Sequence, residues 1–524
     1  HTAYRRQRQM CIRDRFKADG LLNYCVPEKG EYAFKFYLGE QETKILAATD
    51  TTLTVRVPDE CVSSNTYLVM ENQVFYGPYF PIEGNISVDK SWDLSAKVVD
   101  GIVYGSVSQY GKPQNNYLVG GFQHLAQYEH WCIGHVNSKG VVTRWSSSDF
   151  GTDYGVKPSS FEGDTPPYIN SISAFEDGRM LVSGMFSAFE VYNPKNGGLY
   201  DLKDRVYVNN IMVLRSNAHP DTTQQYVFED AGKESNGKPI RYSFSKLNGG
   251  SLQPIVRSFV TSGQKIVAVG NLTQYVCNEY ASSYVDSKQR ISPVASAFRM
   301  DDCGVLDSTY RLVDKVGHYS GAGGGIIADA CMDKDDGVVL VGSFTSFDGV
   351  PVPGMVRLDA GGNVDHAFLE NLGAGPDGNV TMVRYNKALD KMMVVGGFEH
   401  VNGQPRQQMA MLNPDGTLDE TFVPREIGGG TVNFAQLIDK EKVIVSGTFS
   451  TYGGVPRLGF LILEMDGTAQ QKFNVPGTFN GQLYHVAETE TTLGSYGLLL
   501  MGSFDRFNGQ KANNVLMLEV NLDH

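Results

Sequence analysis

A short apolar run closing on Gly-x-Phe, or once Gly-x-Leu, occurs seven times in this chain. The copies are YLVGGF ending at Phe122, MLVSGMF at Phe186, IVAVGNL at Leu272, VVLVGSF at Phe344, MMVVGGF at Phe398, VIVSGTF at Phe449 and LLLMGSF at Phe504. The spacings are 64, 86, 72, 54, 51 and 55 residues. A recurrence at this period means one supersecondary unit repeated, because a unit that size cannot bury its own apolar face and must stack on its neighbours.

The last four copies agree over a longer stretch. After Gly-x-Phe each carries a pair suited to a type I′ hairpin: Asp348 and Gly349, Asn402 and Gly403, Gly453 and Gly454, Asn508 and Gly509. Such residues tolerate the positive φ that lets the turn follow the twist of its strands. An apolar strand follows (GMVRLD, QMAMLN, GFLILE, NVLMLE). In three copies a second turn then leads to a strand ending in Phe (VDHAF, LDETF, AQQKF). A further strand such as NVTMVRY returns to the next Gly-x-Phe run. About four strands per repeat is the content of one propeller blade. The chain ends inside a repeat, so residues from about 87 to 105 are expected to complete the last sheet and close the ring. The expected fold is all-β: an immunoglobulin-like β-sandwich over residues 16–86, then a seven-bladed β-propeller over residues 87–524.

The sandwich is read from period-two alternation in YAFKFYL and LTVRV, with TYLVMENQVFYGPYFPIE supplying two more short strands. Residues 1–15, HTAYRRQRQMCIRDR, carry five Arg and one Asp and no apolar periodicity. They are similar to a translated sequencing adapter and are set apart from the fold. On that reading the native start lies upstream of residue 16.

Composition excludes several functions. Net charge is −13, so a phosphate backbone is repelled and nucleic-acid binding is not expected. No apolar run reaches the length of a membrane-spanning helix. The seven cysteines form no CxxC, which argues against a zinc ribbon. Cys25 and Cys61 could pair; buried free thiols are the simpler expectation.

Most local motifs dissolve into the repeat. GAGGGI at residues 321–326 mimics a dinucleotide loop, but GAGPDGNV and IGGGTV occupy its slot in later copies. DKDDG at residues 333–337 half-resembles a calcium loop, yet lacks the spacing and terminal Glu. A hairpin turn is expected there, with a weak surface calcium left open and no other cofactor. His124, His130, Cys132 and His135 lie close in sequence, but on a strand His130 and His135 face opposite ways, so no metal site is assigned. HExxH, GxSxG and P-loop patterns are absent from the sequence. No catalytic residue is nominated.

Ligand contacts are expected on the long insertions of the first three copies. These hold Trp131, Trp145, Tyr154, Tyr168, Tyr275, Tyr280 and Tyr284, rings able to cover a sugar or a peptide while nearby amides and hydroxyls orient it.

The repeat, best preserved in GGFEHVNGQPRQQMAMLNPDGTLDETF, resembles the delta-sixty repeat. Phe36, Gly39, ATDTTLTVRVP and GPYFPI resemble an IPT/TIG domain. Together they look like surface lipoproteins of Bacteroidota. That resemblance implies lipid anchoring on the outer face of the outer membrane, through a signal peptide and cysteine missing here. It also implies a glycan or other nutrient as ligand, with a TonB-dependent importer and its lipoprotein partner nearby. A protein-interaction or adhesion module, and less so a polysaccharide hydrolase or lyase, are the alternatives.

Overall fold

The computed structural model describes residues 11–12, 21, 25–26, 31–143, 154–155, 166–191, 205–227, 240–279, 288–311 and 319–522. Each Gly-x-Phe run is the middle strand of an antiparallel sheet. In the fourth sheet Val338–Gly342 lies between Ile327–Met332 and Met355–Leu358. All five residues of that middle strand are buried, because it has a neighbour strand on each edge and a sheet on each face. This explains an unbroken apolar run where a half-exposed strand would alternate.

Seven such sheets follow one another among the described residues. Their first strands are Val103–Gln109, Tyr168–Ala174, Arg257–Val260, Ile327–Met332, Val380–Asn386, Val432–Ile438 and Asn480–Glu490. In the seventh, Ile86–Val88 adds to Val515–Val520, with Ile86 opposite Val520. The seventh sheet also packs against the first through Asn480–Glu490 and Val103–Gln109. The closing strand is therefore shorter than expected, and the rest of residues 87–105 leads into the first sheet.

The glycine that ends the middle strand is there for a steric reason. A Cβ on Gly342, Gly396, Gly447 or Gly502 would stand 2.0–2.1 Å from a carbonyl oxygen of the strand beside it. The pairing register slips at that point, between Val380 and Met382 in the fifth sheet, and the two backbones close in. Gly396→Ala should therefore cost about 1–3 kcal/mol. Gly397→Ala, whose Cβ would meet nothing within 4 Å, should change stability by no more than roughly 0.5 kcal/mol. Chemical denaturation of the two variants tests this, and equal losses would remove the steric account.

The hairpin turns are as the sequence predicts: φ is positive at Asp348 and Gly349, Asn402 and Gly403, Gly453 and Gly454, and Asn508 and Gly509. Two expectations need correction. Most of the sheets have three strands, and the residues after Gly-x-Phe form small separate hairpins such as Ser346–Phe347 with Val350–Pro351. The segments ending in Phe are not strands. His366–Leu372 is a helix capped by Asp365, whose side chain accepts from Phe368 N, and Gln471–Phe473 is a single 3-10 turn. Asp and the polar residues around it satisfy turn amides better than ladder amides. The phenylalanines Phe368, Phe422 and Phe473 are nonetheless buried at 1%, 0% and 2% exposure, filling the seams beside the sheets.

The N-terminal part is three small sheets, one of them only Cys25–Val26 with Glu31–Tyr32, around a core of Phe34, Phe36, Leu38, Leu53, Val55, Cys61 and Leu68. Cys11–Ile12 pairs with Leu53 and Thr54 at its edge. Cys61 is a free buried thiol, and burial raises its pKa to about 11; it forms no disulfide with Cys25. This unit is fixed to the sixth and seventh sheets. Ser63 N donates to Val475 O (2.9 Å), Tyr79 Oη to Asn508 Oδ1 (2.7 Å) and Gln471 Nε2 to Cys61 O (2.9 Å).

Candidate functional site in the central cavity

The first strands of the seven sheets face one another, and six of them line a cavity of about 240 Å³. Its wall holds two arginines, Arg257 from the third sheet and Arg384 from the fifth, and behind the wall Asp329 of the fourth sheet bonds both. Arg257 Nε donates to Asp329 Oδ1 at 2.7 Å, and Arg384 Nη1 donates to Asp329 Oδ2. Val383 N also reaches Oδ2, at 3.2 Å. Burial alone would raise the Asp329 pKa, but the two guanidiniums and their hydrogen bonds outweigh it and hold the carboxyl below the usual range. Burial opposes the charge on Arg384, yet a guanidinium stays protonated at any ordinary pH.

The remaining arms are partly used. Arg257 Nη1 donates to Asn170 O (2.5 Å), and Arg384 donates to Val383 O and Tyr484 O (2.8 and 3.2 Å). Arg257 Nη2 and Arg384 Nε have no hydrogen-bond partner among the described residues. Tyr104 and Tyr484 also line the cavity, their ring centroids 5.0 Å apart, and Tyr168 packs against Tyr104 at 6.1 Å. Burial pushes the Tyr104 phenol up to about 12, so it remains a donor. His485 borders the cavity; burial first, and then Arg384 and Arg257, depress its pKa to about 3. It is neutral at pH 7, and the cluster of two arginines and one aspartate keeps one net positive charge.

Of the described residues nominated from sequence, Tyr168 comes nearest, packing against Tyr104 without lining the cavity. Tyr275 is a correction: it is 4% exposed, packs 5.2 Å from Phe298 and donates to Gly304 O, so it belongs to the core. Trp131 is half-buried on Tyr128–Trp131, its Nε1 donating to Glu129 Oε1 at 2.5 Å. Tyr154 lies on Tyr154–Gly155, which pairs parallel with His130 and Trp131; Trp145, Tyr280 and Tyr284 lie outside the described residues. The histidines separate as well. His124 pairs with Asp100 (2.6 Å), and His400 with Asp377 (2.9 Å) at the matching point of the fifth repeat, which marks a structural role. His135 bonds Thr143 and Gln109. In the DKDDG turn, Asp333 accepts the amides of Asp335 and Gly337 and pairs with Arg357 at 2.7 Å.

Sequence reasoning missed Arg257, Asp329 and Arg384, although a signal exists. Arg257 and Asp329 both stand fifteen residues before the end of their Gly-x-Leu or Gly-x-Phe run, and Arg384 fourteen. Charge at an otherwise apolar or small inner-strand position marks a ring interior.

A domain of unknown function (DUF5122) described as a beta-propeller matches residues 334–368 and 390–422, in the fourth and fifth sheets. The fold is a β-propeller. Two further domains of unknown function match: DUF5008 at residues 11–78, over the N-terminal sheets, and DUF5124 at residues 82–171. No curated protein matches the chain. Among solved structures it is similar to a structural-genomics protein of unknown function from Bacteroides thetaiotaomicron VPI-5482, at 8% identity, TM-score 0.26 and coverage of 93% of this chain and 90% of that one. It is also similar to the WD40 beta propeller domain of Doa1, at 12% identity, TM-score 0.40 and coverage of 82% and 97%. A third is YCF48 bound to D1 peptide, at 11% identity, TM-score 0.39 and coverage of 84% and 99%.

Proposed function

We propose that the seven sheets are the blades of a seven-bladed propeller of the delta-sixty type, preceded by an immunoglobulin-like spacer, and that the protein binds a glycan or other nutrient without transforming it. The observation that carries this is the central cavity. Guanidinium and phenol groups line it, and the one carboxylate beside it, Asp329, has both oxygens committed to Arg257 and Arg384. Acid–base chemistry on a glycosidic bond needs two carboxyl groups free to exchange protons, and this wall offers none. Display at the outer face of the outer membrane through a lipid anchor, beside an importer, fits the family resemblance and is part of the same reading. So is a non-native origin for residues 1–15.

The test is a glycan array probed with residues 16–524, with calcium and with chelator. Tyr484→Ala and Trp131→Ala are carried alongside. A reproducible hit weakened about tenfold by Tyr484→Ala, and unchanged by Trp131→Ala, is the expected result. A hit lost only in Trp131→Ala would move the site to the insertions. A blank across neutral and acidic glycans would end the glycan reading. The second reading, a protein-interaction module, has its own observation: Val74, Phe75 and Tyr76 are 47%, 45% and 83% exposed on Gln73–Phe80, an edge strand of the N-terminal sheet.

A further inference from the structure

The charge in the cavity narrows the ligand class, on the proposal that the cavity is a binding site. The wall presents two guanidiniums, and the carboxylate they share lies behind it. Asp329 is bonded by Arg257 and Arg384 and has no further oxygen to give. One positive charge is left uncompensated, because no acidic side chain lines the cavity. Uncompensated buried charge is costly, and the cost is recovered when an anion enters. The geometry for this is in place. Arg257 Nη2 and Arg384 Nε are unengaged, and Arg donors suit carboxylates through paired hydrogen bonds. At about 240 Å³ the cavity is smaller than the roughly 300–1,000 Å³ typical of drug-sized ligands, so it takes one compact unit. A carboxylate to meet the arginines, hydroxyls to meet the Tyr104 phenol, and an apolar ring face to meet Tyr104 and Tyr484 are together the chemistry of a sugar acid.

We infer that the central cavity binds a uronic acid residue, its carboxylate held by Arg257 and Arg384 and its ring flanked by Tyr104 and Tyr484.

Calorimetric titration of the full chain with glucuronate and galacturonate, against glucose and galactose, tests this. At least one acid should bind about tenfold or more tighter than its neutral counterpart, and its affinity should fall as salt is raised. Arg384→Met leaves Asp329 paired with Arg257 and removes the net charge, and acid binding should fall at least about tenfold. Asp329 holds two strands together, so competition on the unaltered protein is the second measurement: acetate should displace the acid and leave the neutral sugar bound. Equal affinity for acid and neutral sugar would overturn this inference and keep the glycan reading. Binding of neither, with a blank glycan array, would end both. Binding of a peptide carboxylate with no sugar acid bound would overturn the sugar assignment.

Discussion

Replacing Asp348 by Asn is expected to cost about 3–5 kcal/mol, the loss seen when one partner of a buried ion pair is removed. Arg311 is fully buried, and Asp348 Oδ1 and Oδ2 each accept from its guanidinium at 2.8 Å. The same guanidinium donates to Ala295 O (2.9 Å) and Gly362 O (3.0 Å) and lies over the Phe347 and Tyr319 rings. It thus joins the third sheet's outer strand to the fourth repeat. Asp348 is the first residue of a type I′ turn, where later copies have Asn402 and Asn508. Those asparagines also cap the preceding loop, accepting from Ala374 N (3.1 Å) and Gly477 N (2.7 Å). Asp348 does the same for Ser320 N and Gly321 N. Asparagine keeps the turn and the cap, but it removes the charge and sets an amide NH2 against Arg311 Nη1, so any large loss belongs to the stranded guanidinium. The double variant Arg311→Met, Asp348→Asn should recover much of the loss, since neither charge remains. Urea denaturation followed by tryptophan fluorescence and by circular dichroism measures both. A single variant within about 1 kcal/mol of the parent would show that the pair contributes little.

The turn chemistry explains why the ring was legible and its interior was not. Asn402 with Gly403 announces a hairpin on local grounds, since only a few residue types accept positive φ. The glycine of Gly-x-Phe recurs because six of the seven copies meet a neighbouring carbonyl at 2.0–2.2 Å, Gly270 being the exception. Such constraints act within one repeat, and repetition averages out the noise. Arg257, Asp329 and Arg384 each look unremarkable in their own strand, and become a site only when ring closure brings strands 55 to 72 residues apart within hydrogen-bond reach. The aromatic insertions misled for the opposite reason. Tyr275 is conspicuous in sequence, but its strand pairs back on Lys288–Pro293 and its ring turns into the core. The segment VDHAF misled through its alternation, because Asp365 caps a helix that period-two reading cannot anticipate.

Acid should unfold this protein well before its carboxylates titrate. His130 is 3% exposed with both ring nitrogens unbonded, and burial, then the charge of His135, depresses its pKa to about 4. His135 is also held near 4, by burial and then by Lys112. His485 is held near 3 by burial, Arg384 and Arg257. In the unfolded chain all three titrate near 6.5. A depressed folded pKa means the unfolded state takes up protons first as pH falls. The stability is therefore complete above about pH 6.5 and is lost progressively between 6.5 and about 4. Each histidine contributes up to about 1.4 kcal/mol per pH unit in that window, so the three together contribute up to about 4 kcal/mol per unit. The carboxylates act lower down: Asp348, with a depressed pKa, adds its loss only as pH falls below the ordinary carboxylate range. Thermal unfolding at pH 7.5, 6.5, 5.5 and 4.5 should show a flat top and then a steep fall beginning near 6.5. His130→Phe removes one proton uptake without touching a hydrogen bond, and should make that fall shallower by about a third. A midpoint unchanged from pH 7.5 to 5, or ring protons of His485 titrating near 6.5 in the folded protein, would show that these imidazoles can take up a proton in place, and would remove this account of acid sensitivity.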